Sequence, residues 1–308
     1  SLAVRLEPPG NAPLNSLIVF TRNGAKTLHA CLESLGRLRY PRFEVVVIDD
    51  GSTDATPHIL QAFPDARVFR QQPAGPRAAR NLGMQKARGD ILAYTDDDCL
   101  AHPDWLLHLA RAFAEDERVT AAGGPNLPPP PRTGPEAVVA AAPGAPAHVL
   151  LDVRDAAHLP GCNLAIRKAA LQRIGGFRVQ FTAAGDDVDI CWRLREDGGL
   201  LRYAPAAMVW HHRRFSVRAY LRQQRGYGRA EALLMKAHPA RFGALGGARW
   251  RGCIYGDKPP TDDPAEGAVF FGPFGQHLFQ GIYHQSAGHL LDWLSGLLWP
   301  ALAALALC

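Results

Sequence analysis

The sequence predicts an α/β fold in which a mostly parallel sheet carries helices on both faces. Three observations predict it. Short apolar, β-branched runs alternate with segments of helical spacing from about residue 16 to residue 123. Two of the runs end in clusters of Asp, the residues that favour turns at strand ends. Hydrophobic residues make up 47% of the 308-residue chain and charged residues 20%, which supplies a sizeable core and excludes wholesale disorder.

Each element follows in order. Ser16 to Thr21 is a short apolar run and reads as a buried strand. Ala25 to Leu38 places Leu28, Leu32 and Leu35 at helical spacing. Phe43 to Asp49 is a second β-branched strand, running into Asp49-Asp50-Gly51-Ser52. Asp54 is placed to cap the next helix, which ends near Phe63. Ala66 to Arg70 is a third strand, and Pro76 to Ala87 a helix with proline in its first turn. Asp90 to Thr95 is a fourth strand, running into Asp96-Asp97-Asp98. A helix over Pro103 to Glu115 and a strand over Val119 to Gly123 complete the alternation.

Beyond Gly123 the pattern changes. The Pro/Ala-rich stretch 125–157, with four prolines from Pro128 to Pro131, reads as a long surface loop or lid. Order resumes near His158, a helix begins near Asp186, and a polar helix spans about Val217 to Lys236. Residues 237–289 show no clear period. Leu290 to Cys308 is apolar apart from Asp292 and carries Trp293 and Trp299, a length and composition that suit a bilayer span of about 17–25 residues or a buried terminal helix. The chain thus divides into a segment 1–13, a main domain 14–236, and an extension 237–308 with an expected membrane association through 290–308. It begins with Ser rather than Met, so a fragment is expected.

Lys and Arg total 34 against 29 Asp and Glu, a formal charge of +5, and only five of the bases are Lys. Arg offers a planar fork suited to phosphate, although a general Arg and Ala bias accounts for the composition equally well. No cluster of bases marks a nucleic-acid partner. The six cysteines, at 31, 99, 162, 191, 253 and 308, form no C-x-x-C pair, so neither a cysteine zinc site nor a disulfide framework is expected, and the compartment reads as reducing. Ser1 to Asn15 contains no apolar run of the secretory type.

The acids carry the chemistry. In open α/β sheets ligands bind outside the carboxyl ends of the strands, where both acidic clusters fall. Asp96 and Asp98 share a side if the segment is extended, and two carboxylates with a nucleoside diphosphate make an oxygen shell for Mg²⁺ or Mn²⁺. Either cluster alone would also suit a plain turn.

Taken together, four stretches resemble the inverting nucleotide-sugar glycosyltransferases of family 2, of GT-A fold: Val47-Ile48-Asp49-Asp50-Gly51-Ser52-Thr53-Asp54, Ala79-Arg80-Asn81-Leu82-Gly83, the Asp-x-Asp of Asp96 to Asp98, and Gly185-Asp186-Asp187-Val188-Asp189 with Trp192-Arg193-Leu194. The resemblance covers about residues 14–230. It implies a Rossmann-like αβα sandwich that uses a nucleotide-diphosphate sugar, UDP-linked by preference, with Mn²⁺ or Mg²⁺. It implies Asp49 and Asp50 on the base and ribose of the donor, with Thr21 and Asn23 beside them. Arg80 would lie near the phosphates, Asp96 and Asp97 on the nucleotide, and Asp98 on the metal with His211 as a further ligand. Arg225, in a Gln/Arg-rich segment, would cover the diphosphate. Asn163, Asp186 and Trp192 would lie on the acceptor side, and Asp187 would be the general base. The family usually has Glu-Asp where this chain has Asp186-Asp187, and a Pro where Phe20 stands.

Asp187 also follows from chemistry. Inverting transfer needs one base to take the acceptor proton. A helix N-terminus favours its charged form, while Asp186 and Asp189 oppose it. The implied acceptor is a hydroxyl on a carbohydrate or a lipid-linked sugar, at the cytoplasmic face of the cell membrane. Two other classes remain open, a nucleotidyltransferase of similar sheet and a non-catalytic nucleotide- or sugar-binding module. The first strand lacks the Gly-rich basic loop typical of the former. A dehydrogenase is excluded because no Gly-x-Gly-x-x-Gly follows a strand.

Overall fold

The computed structural model describes residues 12–141, 148–150, 155–156, 158–181, 184–212, 214, 216–242 and 269–271. Its centre is a seven-stranded sheet. The strands are β1 (Asn15–Thr21), β2 (Phe43–Asp49), β3 (Arg67–Arg70) and β4 (Ile91–Asp96) in one half. After β5 (Cys99–Ala101) come β6 (Val119–Gly123), β7 (Asn126–Leu127), β8 (His148–Leu150) and β9 (Leu164–Arg167), then β10 (Leu200–Tyr203), β11 (Val209–His211) and β12 (Val269–Phe271). The order across the large sheet is β10-β6-β9-β4-β1-β2-β3. Its neighbours pair in parallel except at β9, which runs antiparallel to both β4 and β6. A smaller sheet, β5-β11-β7, stands at the carboxyl ends of these strands, and β8 pairs with β12.

The helices are α1 (Leu28–Gly36), α2 (Thr56–Leu60), α3 (Pro76–Lys86), α4 (Trp105–Glu115), α5 (Gly134–Ala141), α6 (Lys168–Arg173), α7 (Asp186–Glu196) and α8 (Val217–Ala237). They form two layers. Leu17 and Val19 of β1 join Leu28, Leu35, Trp105 and Phe113 of α1 and α4 in one core. Ile18, between them, joins Ala79, Leu171, Ile190 and Leu194 of α3, α6 and α7 in the other. Alternate side chains of one strand therefore feed opposite cores, which is why β1 reads as an unbroken apolar run. In α3, Gly83 permits a close approach, since a Cβ there would lie 2.5 Å from Ile18 Cγ2.

The parallel sheet with two helical layers matches the expected αβα sandwich. The stretch 125–157 differs from the expected loop. Within its described residues it holds β7, β8 and α5. Helix α5 starts where Thr133 Oγ1 accepts from Glu136 N at 3.3 Å and the Glu136 carboxylate accepts from Arg132 N at 2.8 Å, a variant of the capping box that the preceding prolines obscure. Strand β5 carries no sequence signal of its own, because three residues are too few to show a period. The expected apolar helix over 290–308 lies outside the described residues. Among those described, no helix is long and apolar enough to cross a membrane.

Asn163 joins the two sheets. It is fully buried; its Nδ2 donates to Pro125 O at 3.0 Å and Ala207 O at 2.8 Å, and its Oδ1 accepts from Trp105 Nε1 at 2.7 Å. Every polar atom of the side chain is engaged inside the protein, which removes it from the acceptor side expected of it. Asn163→Ala strips three buried groups of their partner. It should lower unfolding free energy by about 2–4 kcal/mol in urea titration. A loss below about 1 kcal/mol would sink this joining role.

Candidate active site

Three loops meet at the carboxyl edge of the sheet, and side-chain acceptors hold them. Asp49 Oδ1 accepts from Ser52 N at 2.8 Å. Asp50 accepts from Gln71 Nε2 at 2.6 Å and from the backbone N–H groups of Ala74 and Gly75 at 2.8 and 2.9 Å. Both carboxylates are buried. They lie at the expected strand end, with their oxygens shaping the turn and the β3–α3 loop. Asn23 adopts a left-handed φ of 57° and clamps the first loop to the second. Its backbone N–H donates to Ser52 Oγ, and its Oδ1 accepts from Thr53 N.

The Asp-x-Asp turn departs from an extended segment, for Asp97 and Asp98 form a turn between β4 and β5. Asp97 folds back to accept from Thr21 Oγ1, and burial pushes its carboxyl up to about 6. Gly24 is needed beside this pair, because a Cβ there would fall 2.2 Å from Asp97 Oδ2. Asp96 and Asp98 nevertheless converge, and β11 brings His211 beside them. One ligand atom from each of Asp96, Asp98 and His211 lies within 4.8 Å of the others. His211 Nε2 stands 3.3 Å from Asp98 Oδ1, a buried oxygen outside hydrogen-bonding geometry. An orphaned buried carboxylate oxygen among two carboxylates and one imidazole fits a divalent ion of the Mn²⁺ or Mg²⁺ kind.

Charge at this cluster is uneven. Burial raises Asp96 to about 7, against the pull of Arg80. Burial also raises Asp98, but His211 and Arg214 outweigh it and hold that carboxyl below the usual range. Cys162 and Asp98 raise His211 well above an ordinary imidazole despite its burial.

Behind the cluster lies a buried ion-pair network. Arg77 and Arg80, one helical turn apart on α3, both donate to Asp186 at the start of α7, and Arg80 also reaches Asp96 Oδ1 at 3.1 Å. Arg80 lies over the Phe20 ring, 4.7 Å from its centroid. It therefore sits beneath the carboxylates rather than open to a phosphate. Asp186, 4% exposed with both oxygens on guanidinium groups, is structural and does not face an acceptor. Asn81 of the same helix exchanges hydrogen bonds of 2.8 Å with the backbone of Phe177 in both directions, fixing the Gly175-Gly176-Phe177 turn.

Asp187 is the next residue and is half-buried. Its Oδ2 accepts from Gly161 N at 3.2 Å. Burial and the neighbouring Asp186 raise its carboxyl to about 6, against the Gly161 and Val188 N–H groups and Arg80. Burial, more than the like charge, sets the direction. Asp189 is structural, paired with Arg178, Arg193 and His238.

Two further expectations need correction. Trp192 is 1% exposed and packs against His238 and Phe242, so it belongs to a core. Arg225 is exposed on α8, two residues before Tyr227 and so on nearly the opposite face. Tyr227 shares its face with Ala230 and Leu234, which pack beside Gly185. Its hydroxyl responds to the charges of Asp187, His211 and Arg214, although burial is the larger cause of its raised value. Sequence reasoning missed Tyr227, Arg214 and Arg77. Helical spacing of Tyr227, Ala230 and Leu234 could have flagged the first. Arg214 Nη1 lies 3.8 Å from Asp98 Oδ2 only because β11 pairs with β5. Cys31, Cys99, Cys162 and Cys191 are free and buried, and Cys99 and Cys162 stand within reach of His211, a grouping that the cysteine spacing does not suggest.

The sequence and the fold have counterparts in known proteins. Residues 16–175, just over half of the chain, match the family model of Glycosyl transferase family 2. The pre-mycofactocin glycosyltransferase of Mycobacterium tuberculosis is 30% identical over 250 residues, covering 75% of this chain and 49% of that protein. The chain thus spans about half the length of this curated relative. A beta-monoglucosyldiacylglycerol synthase of Nostoc is 32% identical over 120 residues, 36% of this chain and 26% of that one. Among solved structures, the mannosyltransferase of Pyrobaculum calidifontis in complex with GDP-Man and Mn²⁺ superposes with a TM-score of 0.58 at 22% identity, covering 74% of this chain and 66% of that one. GalNAc-T7 with UDP, GalNAc and Mn²⁺ gives 0.53 at 19% identity, covering 70% of this chain and 48% of that one. The sandwich is therefore of GT-A type, and with strand-end acids and α7 in the family's order, the chain belongs to Glycosyl transferase family 2.

Proposed function

We propose that this chain is a metal-dependent inverting glycosyltransferase. It moves a sugar from a nucleotide-diphosphate donor, UDP-linked by preference, to a hydroxyl of a carbohydrate or lipid-linked acceptor. The observation that carries the reading is the placement of Asp187. Its carboxyl is raised to about 6, and Arg80, paired with the preceding residue Asp186 and with Asp96, links the start of its helix to the metal-type cluster.

Asp187 takes the acceptor proton as the hydroxyl oxygen attacks the anomeric carbon. The bond from that carbon to the diphosphate oxygen breaks, its electron pair leaves with the diphosphate, and the configuration inverts. Asp96, Asp98 and His211 would hold Mn²⁺ or Mg²⁺, which supplies charge neutralisation for the leaving group. Arg214, beside Asp98 and 47% exposed, adds a cation on the same side. Asp49, Asp50, Thr21, Asn23 and Asp97 hold the loops that border the nucleotide. Two relatives solved with Mn²⁺ and a nucleotide or nucleotide sugar support the donor class. The name of the diacylglycerol-type relative supports a lipid-type acceptor, and the apolar run 290–308 is the ground for proposing a membrane location.

The test is release of nucleoside diphosphate from a panel of nucleotide sugars, with Mn²⁺, Mg²⁺ or chelator and an acceptor mixture. One donor should turn over with metal, and chelator or Asp96→Ala should abolish it. Absence of both turnover and metal-dependent nucleotide binding would promote the non-catalytic binding module. Asp187→Asn should lower kcat on the order of 10²–10⁴-fold with donor affinity nearly intact. Collapse of donor affinity would move Asp187 into the donor site. Because the base works only when ionised, kcat should fall as pH drops through about 6. A bound cation favours the ionised form of Asp96 and takes its titration out of that limb. A limb unmoved in Asp187→Glu would belong to another group.

A further inference from the structure

A second cluster lies beside the carboxylates and shares only His211 with the proposed reaction. Cys99 opens β5 and His211 closes β11, and the antiparallel register sets these two residues opposite each other. Cys162, just before Asn163, completes the group. The two sulfurs and one imidazole nitrogen lie within 4.8 Å of one another. Cys99 is 1% exposed and Cys162 5%. Asn126 Nδ2 donates to Cys162 Sγ at 3.1 Å, a polar contact that orients this sulfur.

His211 thus belongs to two donor sets of opposite character. With Asp96 and Asp98 it offers oxygen, oxygen and nitrogen. With Cys99 and Cys162 it offers sulfur, sulfur and nitrogen. Carboxylates suit Mg²⁺ and Mn²⁺, whereas thiolates select Zn²⁺ and related soft ions. Two sulfurs and one imidazole, with a fourth position left for water, is a known zinc ligand set. Buried thiols that serve only as packing need no imidazole between them.

We propose that Cys99, Cys162 and His211 form a site for a thiophilic divalent cation, Zn²⁺ or Cd²⁺, and that its occupancy draws His211 from Asp96 and Asp98 and inhibits the enzyme. Binding deprotonates the two thiols and releases their protons to solvent. No oxidant is involved. The inhibition rests on the reading of Asp96, Asp98 and His211 as the site of the working metal, whereas the thiol site stands without it.

X-ray absorption at the zinc edge, on the full chain with one equivalent of Zn²⁺, tests the site without any substitution. Two sulfurs at about 2.3 Å and one nitrogen at about 2.0–2.1 Å are expected. A shell of oxygen and nitrogen alone would overturn the proposal. Cd²⁺ titration should give a thiolate charge-transfer band that saturates at one ion per chain. Cys99→Ser or Cys162→Ser should lose it, and Cys191→Ser should keep it. A band that survives in the double variant Cys99→Ser, Cys162→Ser would place the metal on other thiols and end the assignment. Zn²⁺ should inhibit Mn²⁺-dependent turnover, and Cys162→Ser should require roughly 10–100-fold more Zn²⁺. Sulfur-bound Zn²⁺ with unchanged turnover would overturn the coupling through His211. Mn²⁺ binding followed by electron paramagnetic resonance on the same samples reports the oxygen-rich set by itself, so its failure would count against the proposed function and not against the thiol site.

Discussion

The site depends on one buried constraint, the pairing of Arg77 and Arg80 with Asp186 and Asp96. Charges removed from water need partners, and stripping one partner from such a group costs about 3–5 kcal/mol. Here the partners come from α3, α7 and β4, so no one of these elements can shift without separating charges. The packing of Gly83 on Ile18 brings α3 near enough for the reach. The result is a fixed start for α7. Asp187 follows Asp186 directly, so the network that binds one carboxylate aims the next.

The acids at the carboxyl edge divide by what satisfies them. Asp49 and Asp50 accept from backbone N–H groups and hold loops. Asp97 turns to Thr21. Asp186 and Asp189 are neutralised by arginines. Asp96, Asp98 and Asp187 have disturbed acidities, each for a different physical reason: burial at Asp96, nearby cations at Asp98, and burial next to a like charge at Asp187. Such groups are where chemistry is carried. The small β5-β11-β7 sheet completes the arrangement, because it brings His211 to the turn, and Asn163 ties that sheet to α4.

Much was legible in the sequence because it is local. Parallel strands buried on both faces write themselves as apolar runs, so β1, β2 and β4 fall within a residue or so of their expected bounds. Strand ends carry Asp and Gly, so the loops that border the site could be located in one dimension. The order of four motifs points to the family whose model matches residues 16–175. Short elements such as β5 and β7 hold too few residues to carry a period, and the capping signal of α5 was hidden behind prolines.

Partnership, in contrast, was decided only by the tertiary structure. Whether a carboxylate is free or engaged depends on what another element brings to it, and sequence spacing holds no record of that. Asp186 and Asp187 are adjacent and chemically identical, yet one is neutralised by α3 and the other faces Gly161 with a raised carboxyl. Asn163 and Trp192 read as polar or amphipathic candidates, but burial removes both from the acceptor. Cys99 and Cys162 are far apart along the chain and share an imidazole because β5 pairs with β11 and the 161–162 turn lies beside them. The sequence determined the sheet, its edge and the types of residue placed there. Long-range packing decided which of them were left with chemistry to do.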